Sequence, residues 1–431
     1  MPVRLRRPQR DQVAMKLESP DDLIPAGHSA RAVWAVVETL DLSGFSRPIK
    51  ARAGVCGRDS TDPRLLVALW LFACVRGIGS ARELARQCDA AEGSRPFLWL
   101  CGGVSVNHHT LSDFRVDHGP ALDVLFTQVV AVLVKKGLVK VRRISQDGTR
   151  VRACAGASSF RRGAKLSVLV ENAKEHVERL KVLLDDPGKS AGLSARKRAA
   201  RLRAARDRVA RIERAIKVIP QLQERQEKLA KRMSVKQRQT QLKEPRVSTT
   251  DDEARVMKMP NGGFNPAVNV QLAVDTQSRA IVGVDASGSG SDAGLAESMR
   301  RQVETRSGQK VEEHLIDGGY LVMEEIERAA ESGVALYVPP KPPRDPGKYG
   351  DQYASRPRDS QAINDWRQRM GTDAAKDIYK QRASTIETAN ANLKRHGLAQ
   401  MTVRGLKKAR CVALWCALAY NLTLFGAKMI G

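Results

Sequence analysis

The sequence predicts an α/β protein: a mixed sheet with helices on its faces, interrupted by a basic helical hairpin and preceded by an all-α region. Three observations carry this. Two short runs, one basic and one apolar, end in Asp-Gly, at Asp147-Gly148 and Asp317-Gly318, and read as strands closed by an acid. Residues 247–340 alternate between strand-like and helix-like periods. Residues 164–246 break that alternation with a dense run of Arg, Lys, Glu and Gln around a sparse apolar seam.

Composition narrows the partner. The 431 residues are long enough for two or three domains with their own cores. A formal net charge of +26 points to a polyanion. Nucleic acid is favoured over a membrane, because no amphipathic anchor or lipid-attachment motif stands out. Aromatic residues make up only 4% of the chain, which argues against a stacking platform for single strands as the main binding mode. The seven cysteines form no Cys-x-x-Cys pair, and His108-His109 has no ligand-spaced partner, so a zinc site is not expected. Loose, odd-numbered cysteines suit reduced thiols in a cytoplasm. The basic Met1–Gln12 stretch has no apolar run behind it and so does not read as a secretory signal. The one membrane-like stretch, Cys411–Ile430, is broken by Asn421, Thr423 and Lys428 and reads as a buried core helix.

Taken in order, residues 1–60 form a basic segment with one amphipathic piece, Ser29–Leu40. Residues 61–138 are helical. Asp62-Pro63 starts a helix whose apolar body is Leu65–Val75, and Gly77-Ile78-Gly79 ends it. Ser80 to Glu83 has capping-box form. Asn107 caps the next helix, and Leu122–Leu138 forms a longer one. Short helices with tight turns in a basic chain suit a helix-turn-helix-like DNA module, or equally a plain helical subdomain packed on its neighbour. In residues 139–163 the period changes. Val139–Ser145 is a short strand ending at Gln146-Asp147-Gly148-Thr149, where a strand-held carboxylate is a well-placed ligand and an ordinary Asp-Gly turn is the bland alternative.

Residues 164–246 read as two helices zipped on a narrow seam: Val177, Leu180 and Leu184, then Val209, Ile212, Ile216 and Ile219, with a turn at Asp186-Pro187-Gly188. Pro220 is expected to kink or end the second helix. Ser194–Arg214 is almost entirely Arg and Ala between seam positions, which favours phosphate contact over a merely solvated face. In residues 247–431, Asn269–Asp275 and Ala280–Val284 form a hairpin, followed by a helix at Ser291–Glu304. A strand at Glu313–Tyr320, a helix at Met323–Ser332 and a strand at Val334–Val338 come next. Residues 341–372 read as a mobile loop.

The last helix, Ile378–Lys394, sets Tyr379, Arg382, Ile386, Asn390 and Leu393 near one side. Its single carboxylate among those cations, Glu387, lies between Arg382 and Lys394. Such a grouping suits a site holding a metal beside phosphates, or a solvated helix with spaced salt bridges. Without the hairpin region, the element order is that of a ribonuclease-H-like domain. In that order the strands bearing Asp147 and Asp317 lie side by side, and Glu387 on a following helix closes over them. Three converging carboxylates are costly unless divalent cations neutralise them. Oxygen-only ligands favour two Mg²⁺ ions, with Mn²⁺ as a substitute, over Zn²⁺, and such a pair suits phosphodiester chemistry.

Six segments together resemble one family, the DDE transposases of bacterial insertion sequences, in the branch with a Tyr-Arg-Glu-Lys signature. They are Asp62–Leu66 through Gly77–Leu84; Asn107–Arg115; Asp147-Gly148-Thr149; Gly262–Gln271; Asp317–Tyr320; and the helix carrying Tyr379, Arg382, Glu387 and Lys394. The likeness spans roughly residues 25–425 and rests on order and spacing. It implies that Asp147, Asp317 and Glu387 are the metal-binding triad, and that Tyr379, Arg382, Lys394 and Arg115 contact DNA. Four residues separate Arg382 from Glu387, where the signature has three. The basic hairpin stands where the family often carries an insertion. The activity implied is cleavage at terminal inverted repeats and transfer of the 3′ ends into target DNA, by a protein at least dimeric on paired ends. A non-catalytic relic or repressor of transposition, or a structure-specific nuclease of the same fold, are the alternatives.

Overall fold

The computed structural model describes residues 18–430 apart from 52–53, 55, 57–58, 187–191, 232, 236–237, 239–241 and 344–349. The basic tail and the turn expected at Pro187-Gly188 lie outside the described residues.

The N-terminal region is helical, as its capping signals dictate. Helices α1 (Ser29–Thr39) and α2 (Ser43–Ser46) precede α3 (Pro63–Val75). The Asp62 carboxylate caps α3 by accepting the Arg64 N–H at 2.8 Å, with Pro63 at its first turn. Helix α4 (Ala81–Gln87) is capped by the Ser80 hydroxyl, which accepts the Glu83 N–H at 3.4 Å. The Glu83 side chain does not close the expected box; it pairs with Arg86 and accepts from Gln87 instead. Helix α5 (Arg95–Cys101) was not anticipated, because its seven residues are too few to show a period. Asn107 caps α6 (His108–Asp117) by accepting two N–H groups at 2.9 Å, and α7 is Gly119–Lys135.

Every residue of α3 from Leu65 to Cys74 is buried, so this helix has no face free for a DNA groove. It packs on the C-terminal helix, which runs from Leu406 to Ile430 and also touches α1, α7 and the sheet. One hydrophobic core therefore runs from α1 through the sheet to the C-terminal helix. The helical region thus shares one core with the sheet. The C-terminal helix is long and apolar enough to cross a membrane, but most of it is buried inside the protein.

The sheet has six strands. Strand β1 (Arg143–Arg152) extends well beyond the expected end, and Asp147 lies in its middle. The reason is the ladder: Ile144 to Arg152 pair antiparallel with Asp275 to Ala267. Gly148 does not turn the chain. A Cβ there would lie 2.3–2.5 Å from the side chains of Gln271, Asn269 and Asp292, so only glycine fits. The two short strands β2 (Phe160–Arg161) and β3 (Val247–Ser248) pair at the root of the basic hairpin, helices α8 (Gly163–Asp185) and α9 (Ala195–Ala230). Its seam buries Leu166, Val170, Ala173, Ile212, Ala215 and Ile219. Pro220 does not end α9, which continues to Ala230.

Strands β4 (Arg255–Lys258), β5 (Phe264–Asp275) and β6 (Ile281–Ser287) are antiparallel to their neighbours. After α10 (Ala296–Ser307) comes β7 (Glu313–Leu315), parallel to β1, then α11 (Met323–Glu331) and β8 (Ala335–Tyr337), parallel to β7. Part of the expected loop at 341–372 is helix α12 (Gln361–Gly371). Its Ile363, Trp366 and Met370 are buried at three-to-four spacing, and the Trp366 indole donates to the Val338 carbonyl at 3.1 Å. Two more helices finish the chain: α13 (Asp373–Leu393) and α14 (Leu406–Ile430).

Candidate active site

The site is built where β1, β7 and α13 meet. The parallel register pairs Ser145 with Leu315, so two residues further on Asp147 and Asp317 stand abreast. Asp147 Oδ1 accepts the Gly148 N–H at 2.9 Å, and Asp317 Oδ1 accepts the Gly319 N–H at 2.6 Å. Helix α13 is laid across β1 by its apolar face, Ile386, Ala389 and Leu393. It is pinned there by Arg143, which donates to Gln381 at 2.9 Å, and by the Ser145 hydroxyl, which donates to the Arg382 carbonyl at 3.5 Å.

Arg382 sits between the two acids. Its Nη2 lies 3.3 Å from Asp147 Oδ1 and 3.6 Å from Asp317 Oδ2. The side chains of Arg382, Asp147 and Asp317 are 14%, 22% and 39% exposed. Beside them opens a cleft of about 800 Å³, lined by both aspartates, Glu387, Asn390, Lys394 and Lys258. Glu387 is exposed on its wall. Among the described residues no three His, Cys, Asp or Glu side chains converge closely enough to hold a metal ion. The structure thus brings Asp147, Asp317 and Arg382 into contact, and places Glu387 and Lys394 in the same cleft without closing the triad. Helix geometry explains the split. Five residues of helix carry Arg382 roughly 140° away from Glu387, whereas the four-residue step of the usual signature leaves only about 40°.

Tyr379 is half-buried against the cluster that holds Trp366. Burial raises its phenol pKa, with Asp317 and Asp147 adding and Arg382 opposing, so it lies in the field of the same acids. Arg115 is a correction. It is 5% exposed in the helical region, its guanidinium over Trp70 at 4.6 Å and Nη1 donating to the Gly79 carbonyl at 2.6 Å. Those bonds occupy the side chain inside the core and keep it from DNA.

Sequence reasoning missed a buried polar group behind Asp147: Gln146, Asn269, Gln271, Asp292 and Tyr320. The available signal was Asn269 and Gln271 alternating through an otherwise apolar strand.

The acids fit a hard cation. Asp147 is raised to about 6, first by burial, then by Asp317 and Asp292, against the pull of Arg382 and the Gly148 N–H. The Arg382 guanidinium therefore does not cancel what burial and the neighbouring acids cost the Asp147 carboxylate, and the side chains facing the cleft as ligands carry oxygen donors.

Family comparison matches residues 231–422 to a transposase DDE domain and residues 18–117 to a transposase domain (DUF772). Asp317, Tyr379, Arg382, Glu387 and Lys394 fall inside the first match, and Asp147 falls in neither. No curated protein and no solved structure matches the chain. Carrying both a transposase DDE domain and an N-terminal transposase domain, the chain belongs to the DDE transposases of insertion-sequence type.

Proposed function

We propose that this transposase binds the terminal inverted repeats of its own element, cuts the DNA at each end and joins the freed 3′ ends to target DNA, in a ribonuclease-H-like catalytic domain. The observation that carries the reading is Asp147 abreast of Asp317 on parallel strands, with Glu387 and Lys394 across the same cleft. The strand order β4-β5-β1-β7-β8, with β6 also paired to β5, antiparallel on one side of β1 and parallel on the other, supports the fold.

Asp147, Asp317 and Glu387 are the residues to hold one or two Mg²⁺ or Mn²⁺ ions. When bound, such ions supply activation of the attacking oxygen and stabilisation of the leaving one. The chain's own residues set the geometry. Lys394 faces the cleft as a phosphate cation, and Arg382 with Tyr379 edges the same floor. In the first step a water oxygen bonds to phosphorus and gives a proton to solvent, and the bond to the 3′-oxygen breaks as that oxygen takes a proton and becomes a hydroxyl. In the second, the freed 3′-hydroxyl gives its proton to solvent, bonds to a target phosphorus and displaces the target's own 3′-oxygen, which takes up a proton. Bonds broken and formed balance, and no protein–DNA adduct is needed. Exposed arginines of α9 hold the flanking duplex by its phosphates. Cutting two ends together calls for at least a dimer.

Strand transfer tests the reading. Pre-cut duplexes with the element's ends, incubated with a target plasmid and Mg²⁺, should be joined to it by the wild type and not by Asp147→Asn. Cutting without joining moves the protein to the structure-specific nucleases. End binding without either reaction makes it a repressor or relic.

A further inference from the structure

Behind the aspartates lies a hydrogen-bonded unit with a definite direction. Gln271 stands opposite Gly148 across the β1–β5 ladder, on the sheet face away from the Asp147 side chain. Its Oε1 accepts from two donors: Gln146 Nε2 at 2.9 Å, and the Tyr320 hydroxyl. Gln146 immediately precedes Asp147, and Tyr320 follows Asp317 by three residues. Gln271 Nε2 donates to Asp292 Oδ1 at 2.7 Å. One amide therefore ties together the two segments that carry the catalytic acids.

Asp292 gives that amide its sense. A buried carboxylate only accepts, so any amide beside it must present its NH₂. Asn269 Nδ2 donates to the same Oδ1 at 2.6 Å, and Arg150 Nη2 donates to Oδ2 at 3.1 Å. With the Gln271 NH₂ committed to Asp292, its oxygen has to point at Gln146 and Tyr320. Gln146 is held in turn, since its Nε2 also donates to the Leu295 carbonyl at 3.2 Å. Two buried acceptors, Gln146 Oε1 and Asn269 Oδ1, lack partners. The unit also explains Gly148, whose missing Cβ leaves room for Gln271, Asn269 and Asp292.

We propose that Gln271 and Asp292 are positioning residues, which set the separation of Asp147 and Asp317 and so tune how tightly the dyad takes a divalent cation. Gln271 acts through Gln146 and Tyr320, and Asp292 acts through the orientation of Gln271 and through its own charge near Asp147. This rests on the functional reading above, in which the dyad is a cation site.

The test is Mn²⁺ binding to the full-length protein, followed by titration calorimetry or by loss of the free-ion paramagnetic signal. Asp147→Asn is the control for the site. Gln271→Leu should weaken Asp147-dependent binding on the order of tenfold or more, with a lowered melting temperature, because it leaves the Tyr320 hydroxyl and Gln146 Nε2 without their acceptor, and with affinity for element-end DNA close to wild type. Asp292→Asn should weaken it in the same direction, by releasing the orientation of Gln271 and by removing a negative charge near Asp147. Tyr320→Phe, which removes one of the two donors and no volume from the core, should give a smaller loss and is the variant to read if Gln271→Leu fails to fold. Unchanged Mn²⁺ affinity in folded Gln271→Leu, or in Tyr320→Phe and Asp292→Asn together, overturns the positioning role and leaves the functional reading standing. A wild type with no Asp147-dependent Mn²⁺ binding overturns both.

Discussion

Replacing the central acid with its amide should stabilise the metal-free protein while abolishing its activity. Asp147 is raised in the folded state from the ordinary 3.8 to about 6, chiefly by burial. The fold therefore favours the neutral acid. The stability this group contributes is complete below pH 3.8 and is lost as the pH rises through about 6. A shift of roughly two units corresponds to about 3 kcal/mol, and partial exposure of the side chain discounts that to about 1–2 kcal/mol. Asp147→Asn removes the buried charge. In EDTA at about pH 7.5 it should melt a few degrees above the wild type, and at about pH 4 the difference should close. Millimolar Mg²⁺ should then raise the melting temperature of the wild type but not of the variant, because only the wild type keeps the dyad intact. Equal melting of the two proteins at neutral pH without metal, or an equal rise with Mg²⁺, would refute the reasoning.

Three further outcomes follow from residues outside the dyad. Arg115→Met should destabilise the protein by about 1–3 kcal/mol by removing its bond to the Gly79 carbonyl, which keeps only the Thr402 hydroxyl, and its stacking on Trp70, with DNA affinity per folded molecule unchanged; denaturant melts and gel shifts read the two separately. Arg203→Ala with Arg208→Ala, both exposed on α9, should weaken binding to all DNA sequences alike and reduce the salt dependence of log K by roughly 2; an unchanged slope removes α9 from the interface. Gly148→Ala should lower the melting temperature and the Mn²⁺ affinity together, since its Cβ would displace Gln271, Asn269 and Asp292.

Much of the site was legible because local rules were strong. Asp62-Pro63, Ser80 and Asn107 are start signals that act within three residues, and each caps the helix expected. Strand order followed from the alternation of elements, which places β7 beside β1 and Asp317 beside Asp147. The errors came where distant chain decides. Asp147-Gly148 looks like a turn locally, yet β5, more than a hundred residues away, pairs straight through it. Arg115 looks like a free cation, and the Gly79 carbonyl and Trp70 that claim it are set by the packing of α3, α4 and α6. In residues 341–372 the Pro and Arg content masked the apolar stripe Ile363, Trp366, Met370. The role of Arg382 as the cation of the dyad depends on which way a helix faces, and that is fixed only when Ile386, Ala389 and Leu393 bury against the sheet.

The most direct measurement is cleavage of a supercoiled plasmid carrying the element's own ends, with Mg²⁺ and with EDTA, by wild type and by Glu387→Gln. Glu387 is exposed on the cleft wall, so this variant keeps the fold. Nicking or excision that needs the ends and the metal, and that falls on the order of a hundredfold or more in the variant, is the predicted result. Cleavage that persists in EDTA, or that Glu387→Gln performs as well as wild type, would contradict the assignment of this cleft as the catalytic site.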